Sequence, residues 1–104
     1  MKRWAFSVNL SVVNQPGTLE RLARVFSERG INLGDILAVV GSDRLEVPSG
    51  QRPVIVLTFQ CSERLKAFLH RRIQRMPEVA SVVALERQAN DERPVWALLP
   101  DLNQ

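Results

Sequence analysis

The chain's 104 residues, 45% of them hydrophobic, predict one folded domain and exclude a disordered chain. Fourteen basic against 11 acidic residues leave +3, a balance too mild to demand a nucleic-acid or membrane partner. A single cysteine, Cys61, excludes an intrachain disulfide and a paired-cysteine zinc or redox site, and no apolar run approaches the ~18 residues of a membrane span.

Met1-Lys2-Arg3 has the charge of a secretory leader, but the residues after it do not form a leader core. Trp4, Phe6, Val8, Leu10 and Val12 alternate with Ala5, Ser7, Asn9 and Ser11, which predicts a half-buried strand in place of a leader core, and with no membrane-length apolar run a cytoplasmic location is the default expectation. Pro16-Gly17 breaks that strand. Leu19, Leu22, Ala23 and Phe26 then recur at helical spacing, predicting an amphipathic helix over 18–29 with Thr18 as N-cap and Gly30 as left-handed stop. Ile31 to Val40 reads as a second strand, kinked or bulged at Gly34-Asp35. Gly41 to Arg52 is a polar hairpin loop. Pro53 to Gln60 is a third strand, apolar on both faces and therefore central. Ser62 is the N-cap candidate of a second helix with a stripe of Leu65, Phe68, Leu69, Ile73 and Met76, stopped by Pro77. Val79 to Arg87 is the fourth strand.

The order βαββαβ predicts an α+β, ferredoxin-like sandwich. Two helices cover one face of a four-stranded antiparallel sheet, with strand order 4-1-3-2 set by right-handed crossovers. Residues 1–88 make this domain. Residues 89–104 are a tail whose apolar stretch around Trp96 is expected to dock on the open sheet face or on a partner chain.

The corner after the first strand is the candidate site. A helix start offers free N–H groups and a partial positive charge, so a carboxylate is expected near Gly17, Thr18 and Leu19. Asn14 carries both a carbonyl and an amide, suited to an ammonium or a carboxylate, and Asn32 offers the same pair from the second strand. Asn14 equally fits a turn residue capping the Pro-Gly corner, and Asn32 an edge residue satisfied by water. In one domain the two asparagines need not meet. Edge-to-edge pairing of two second strands would bring the corner of one chain beside Asn32 of the other.

The stretch Asn14-Gln15-Pro16-Gly17-Thr18-Leu19 resembles the Asp/Asn-x-Pro-Gly-x-Leu signature of ACT domains. Phe26-Ser27-Glu28-Arg29-Gly30-Ile31-Asn32-Leu33 is similar to the family's helix exit and second strand, and Met76-Pro77-Glu78-Val79-Ala80-Ser81-Val82 to its last helix-to-strand passage. Together they span residues 4–87. The resemblance implies a regulatory module that binds a small amino acid at the seam of two protomers, through Asn14, Gln15, Pro16, Gly17, Thr18, Leu19, Asn32 and Leu33. It implies a homodimer or larger homo-oligomer that senses the effector alone or regulates a separate metabolic enzyme. Serine-sensing members carry asparagines at the positions of Asn14 and Asn32, with a histidine where this chain has Val12. The alternative is a ligand-free dimerisation or docking module for a metabolic enzyme.

No catalytic group, metal site or cofactor is expected. His70, the sole histidine, sits among Lys66, Arg71 and Arg72 and reads as solvated. Cys61 reads as a buried small apolar residue. Asp35, Asp43 and Glu46 form no evident acid/base pair. Arg64, Arg71 and Arg75 share a helical face that reads as solvated rather than as a nucleic-acid patch. The third strand lacks the aromatic pattern of a ferredoxin-like RNA binder.

Overall fold

Alternation from Trp4 onward makes a strand with two different faces, and the rest of the chain covers both. The computed structural model describes residues 1–11, 17–39 and 53–102. In chain order these form β1 (Lys2–Leu10), α1 (Thr18–Ser27), β2 (Leu33–Val39), β3 (Val54–Cys61), α2 (Glu63–Gln74) and β4 (Val79–Arg87). A 3₁₀ turn, Val95–Leu98, then runs into a short helical turn, α3 (Leu99–Leu102). The chain is an α+β fold with one open, antiparallel, four-stranded sheet ordered β2-β3-β1-β4, which counted from the β4 edge reads 4-1-3-2.

One face of β1 and β3 carries Trp4, Phe6, Val8 and Leu10 beside Ile55, Leu57 and Phe59. These pack with Leu22, Val25 and Phe26 of α1 and with Leu69 and Ile73 of α2. Phe6, Phe26 and Phe59 form its aromatic centre, with Phe59 edge-on to the other two at 4.8 and 4.9 Å. The opposite face carries Ala5 and Val56, and Leu98 and Leu102 of the tail lie on it. Both central strands are thus covered twice, as the two apolar faces of β3 require.

Local chemistry sets the element ends. Gly30 has φ +71°, and its N–H and that of Ile31 donate to Ser27 O at 3.0 Å and Phe26 O at 3.1 Å. This is the paired bonding of a left-handed helix stop, closed by Ile31 and Phe26 in the core. Ser62 caps α2, its Oγ accepting from Leu65 N–H at 3.2 Å. The register of β2 on β3 slips between Leu33 and Ile36, so the bulge falls at Gly34-Asp35. There Asp35 N–H donates to Thr58 Oγ1 at 2.7 Å, and a Cβ on Gly34 would come within 2.8 Å of that same oxygen.

Two expectations about α1 are corrected. Gly17, not Thr18, is the N-cap residue. Its carbonyl accepts from Arg21 N–H at 2.9 Å, which starts the helix one residue earlier than Thr18 would. Leu19 does not join the buried stripe: it is 41% exposed, and Val25 takes the inward position instead. Residues 18, 22, 25 and 26 trace the buried face, and Leu19 lies off it.

The polar segment after β4 is pinned rather than loose. Arg3 Nη1 donates to the carbonyls of Gln88 and Asp91 at 3.0 and 2.7 Å. The buried Arg87 donates to those of Asp91 and Arg93 at 3.2 and 2.8 Å. Arg93 bridges Asp91 to Asp101 at 2.9 and 2.7 Å, tying this segment to α3. The apolar stretch around Trp96 docks on the open sheet face through Leu98 and Leu102, while Trp96 itself stays 66% exposed.

Candidate functional site

The corner between β1 and α1 is bounded on its described side by Ser11, Gly17 and the start of α1. Gly17 has φ +81°, a left-handed conformation that a side chain would strain. A Cβ there would lie 2.9 Å from Arg21 Nη1, so the guanidinium rests against the face of Gly17 that has no side chain. Arg21 is held in place by Glu78, a carboxylate at the passage from α2 to β4. Arg21 Nε donates to Glu78 Oε2 at 3.1 Å, and Nη2 makes a second bond to the same oxygen. Nη2 also reaches Thr18 Oγ1 at 3.4 Å. The Glu78 carbonyl accepts from Ser11 N–H at 2.9 Å and Ser11 Oγ–H at 3.1 Å, closing the end of β1 over β4.

Glu78 is only 6% exposed, and the bonds from Arg21 hold its carboxyl below the usual carboxylate range. The corner is therefore a helix start beside a fixed guanidinium whose charge a buried carboxylate balances. Neither Arg21 nor Glu78 was among the residues singled out from sequence. Arg21 is readable in principle, four residues after Gly17, but its partner lies 57 residues away.

Of the sequence-predicted residues, Gly17, Thr18 and Leu19 stand together at this corner. Thr18 is buried, and Gly17 and Leu19 are exposed. Asn14, Gln15 and Pro16 lie outside the described residues, as do Val12, Asp43, Glu46 and the 41–52 loop. Asn32, exposed, and Leu33, half-buried, are at the opposite end of the sheet. Leu33 pairs with Phe59, which pairs with Trp4, whereas the corner lies beyond Leu10. The ten residues of α1 separate the two groups by about 15 Å at a rise of ~1.5 Å per residue. One copy does not bring them together.

At that opposite end Asn32 lines a groove of about 650 Å³ between the start of β2 and the β3-α2 passage, with Arg29, Asp35 and Gln60 around it. β2 is an edge strand, bonded only to β3, so its outer side and this groove are open together.

The other candidates are settled by packing. His70 is half-buried rather than solvated. Its ring lies 5.7 Å from Phe6, and Nε2 is 3.1 Å from the Val82 carbonyl, which requires the proton on Nε2. Alternate faces of α2 explain this: Arg71 and Arg72 point outward while position 70 turns toward β4. Cys61 is buried, and burial pushes its thiol pKa up, away from thiolate chemistry. Arg64, Arg71 and Arg75 are exposed. Among the described residues no group of three His, Cys, Asp or Glu side chains could hold a metal ion, and no helix is long and apolar enough to cross a membrane. The chain matches no protein-family model and no curated protein.

Proposed function

We propose that the protein is a cytoplasmic, ACT-like regulatory module in the ferredoxin-like arrangement, binding a small amino acid between two protomers without catalysing a reaction. The observation that carries this reading is the Gly17 corner, where a helix start and the Arg21 guanidinium converge on backbone that lacks a side chain. An α-carboxylate is the ligand group that such a corner suits. Asn32, with Leu33 beside it, completes the site from the second copy and takes the ammonium, and Asn14, Gln15 and Pro16 belong to it from the first.

The topology supports the pairing. β2 is an open edge, and two such edges joined antiparallel about a two-fold axis set the corner end of one copy beside the Asn32 end of the other. The ligand then favours the paired state because only that state holds both halves.

Calorimetry against the common amino acids tests this. One of them is expected to bind, and Asn32→Ala and Arg21→Ala each to weaken it about tenfold or more, as loss of a charge-assisted or amide hydrogen bond does. Flat titrations with every amino acid at millimolar concentration would remove the reading.

The second reading, a ligand-free docking module acting on a metabolic enzyme, draws on the same open edge and on exposed Ile36 of β2. It predicts a dimer or a complex that forms without amino acid and is indifferent to Asn32→Ala.

A further inference from the structure

The charge of this chain is unevenly placed. The two main helices with their flanks, residues 18–29 and 62–75, carry eight of its 14 basic residues and three of its 11 acidic ones. That surplus of five positive charges exceeds the +3 of the whole chain, so the remainder is net acidic. The helix layer is the basic side of the molecule.

Within that layer a groove of about 570 Å³ runs between α1 and α2. Its walls are arginines: Arg21 and Arg24 from α1, Arg72 and Arg75 from α2. The α1 pair carries ion pairs, Arg21 with Glu78 and Arg24 with Glu20 at 3.3 Å. Arg72 and Arg75 are exposed, and among the described residues neither has a carboxylate within ion-pair reach. Val25 and Met76, both buried, and Pro77 form its apolar lining.

We propose that this groove docks an acidic, amphipathic segment of another protein. The segment's apolar side chains would sit over Val25 and Met76, and its carboxylates on Arg72 and Arg75. Charge complementarity selects the sign of the partner, and the apolar lining selects a peptide over a bare polyanion. A nucleic acid fits less well. Among the described residues no aromatic side chain lines the groove for a base to stack on, and Phe68 nearby is covered by Arg29 at 4.2 Å. The groove adjoins the Gly17 corner through Arg21 and Glu78, but Arg72 and Arg75, which would take the segment's carboxylates, are not part of that corner.

The test is fluorescence anisotropy with three labelled probes on the full chain: an amphipathic peptide of Glu, Ala and Leu; polyglutamate; and oligouridylate. The amphipathic peptide is expected to bind most tightly and to weaken with salt. The double variant Arg72→Glu/Arg75→Glu should lose on the order of tenfold in affinity, and Arg64→Glu, outside the groove, less than about twofold. These sites are exposed, and an unchanged circular dichroism spectrum shows that the variants remain folded. The proposal is overturned by any of three results: no binding of the amphipathic peptide, an equal loss in Arg64→Glu, or tighter binding of polyglutamate or oligouridylate.

Discussion

Glu78 shows how one side chain can set the shape of a corner. Its carboxylate fixes Arg21 against Gly17, and its backbone carbonyl takes two bonds from Ser11. Glu78→Gln keeps the shape and removes the charge, and it is expected to cost roughly 1–2 kcal/mol at neutral pH. The pH dependence has a definite sign. Folding lowers the Glu78 pKa, so its stabilisation is full above the ordinary glutamate range and is lost as pH falls through the folded value. The stability gap between wild type and Glu78→Gln should therefore be constant near pH 7 and close below about pH 4. Urea unfolding across that range measures it, and a gap that widens on acidification would contradict the assignment. Asp91, which Arg93 holds below its usual range, is present in both proteins and cancels in the comparison.

At the scale of elements, the tail offers the clearest contrast. Leu98 is fully buried against the sheet, and Trp96, two residues earlier, is exposed. Leu98→Ala is expected to destabilise the fold by about 2–4 kcal/mol, and Trp96→Ala by no more than about 0.5, despite the larger side chain. Chemical denaturation ranks them, and a reversed order would mean that the tail docks differently.

That contrast also marks what sequence can disclose. Gly30 and the Gly34-Asp35 bulge are readable because local backbone chemistry decides them: a left-handed residue after a helix, and a strand whose alternation fails. β1 follows from its period-two pattern and β3 from a short run apolar on both faces, and Ser62 from its place before an apolar helical stripe. The Arg21–Glu78 pair, the bond of His70 to Val82 and the choice of Leu98 over Trp96 are not readable in this way. Each depends on which distant segment the fold brings alongside. Leu19 fails for a subtler reason: a single turn of helix accommodates an apolar residue on either flank of its stripe, and only the angle at which α1 lies on the sheet chooses. Of the proposed site, the helix start at Gly17-Thr18 is legible from the apolar stripe that follows it, whereas the guanidinium beside it is not.

For the whole molecule, the separation of Asn32 from the corner turns amino-acid binding into a question of assembly. If the two halves of the site come from different copies, ligand at a hundred times its dissociation constant adds about 2.7 kcal/mol to stability, and the unfolding midpoint rises with protein concentration. Thermal melts at several protein concentrations, with and without the amino acid that binds, check both statements. A midpoint independent of concentration in the presence of that amino acid would place the site within one copy.

The seal made by Leu98 and Leu102 has a geometric consequence for any such assembly. With helices on one side of the sheet and the tail over Ala5 and Val56 on the other, the centre of the described sheet is bare on neither face, which leaves little of it to stack on a neighbour's sheet. Copies can extend the structure sideways, strand to strand, or meet through the outer surfaces of their helices. A chain that kept its strands but lost residues 95–102 would gain a third direction of growth, face to face. The tail thus sets the dimensionality in which this protein can associate.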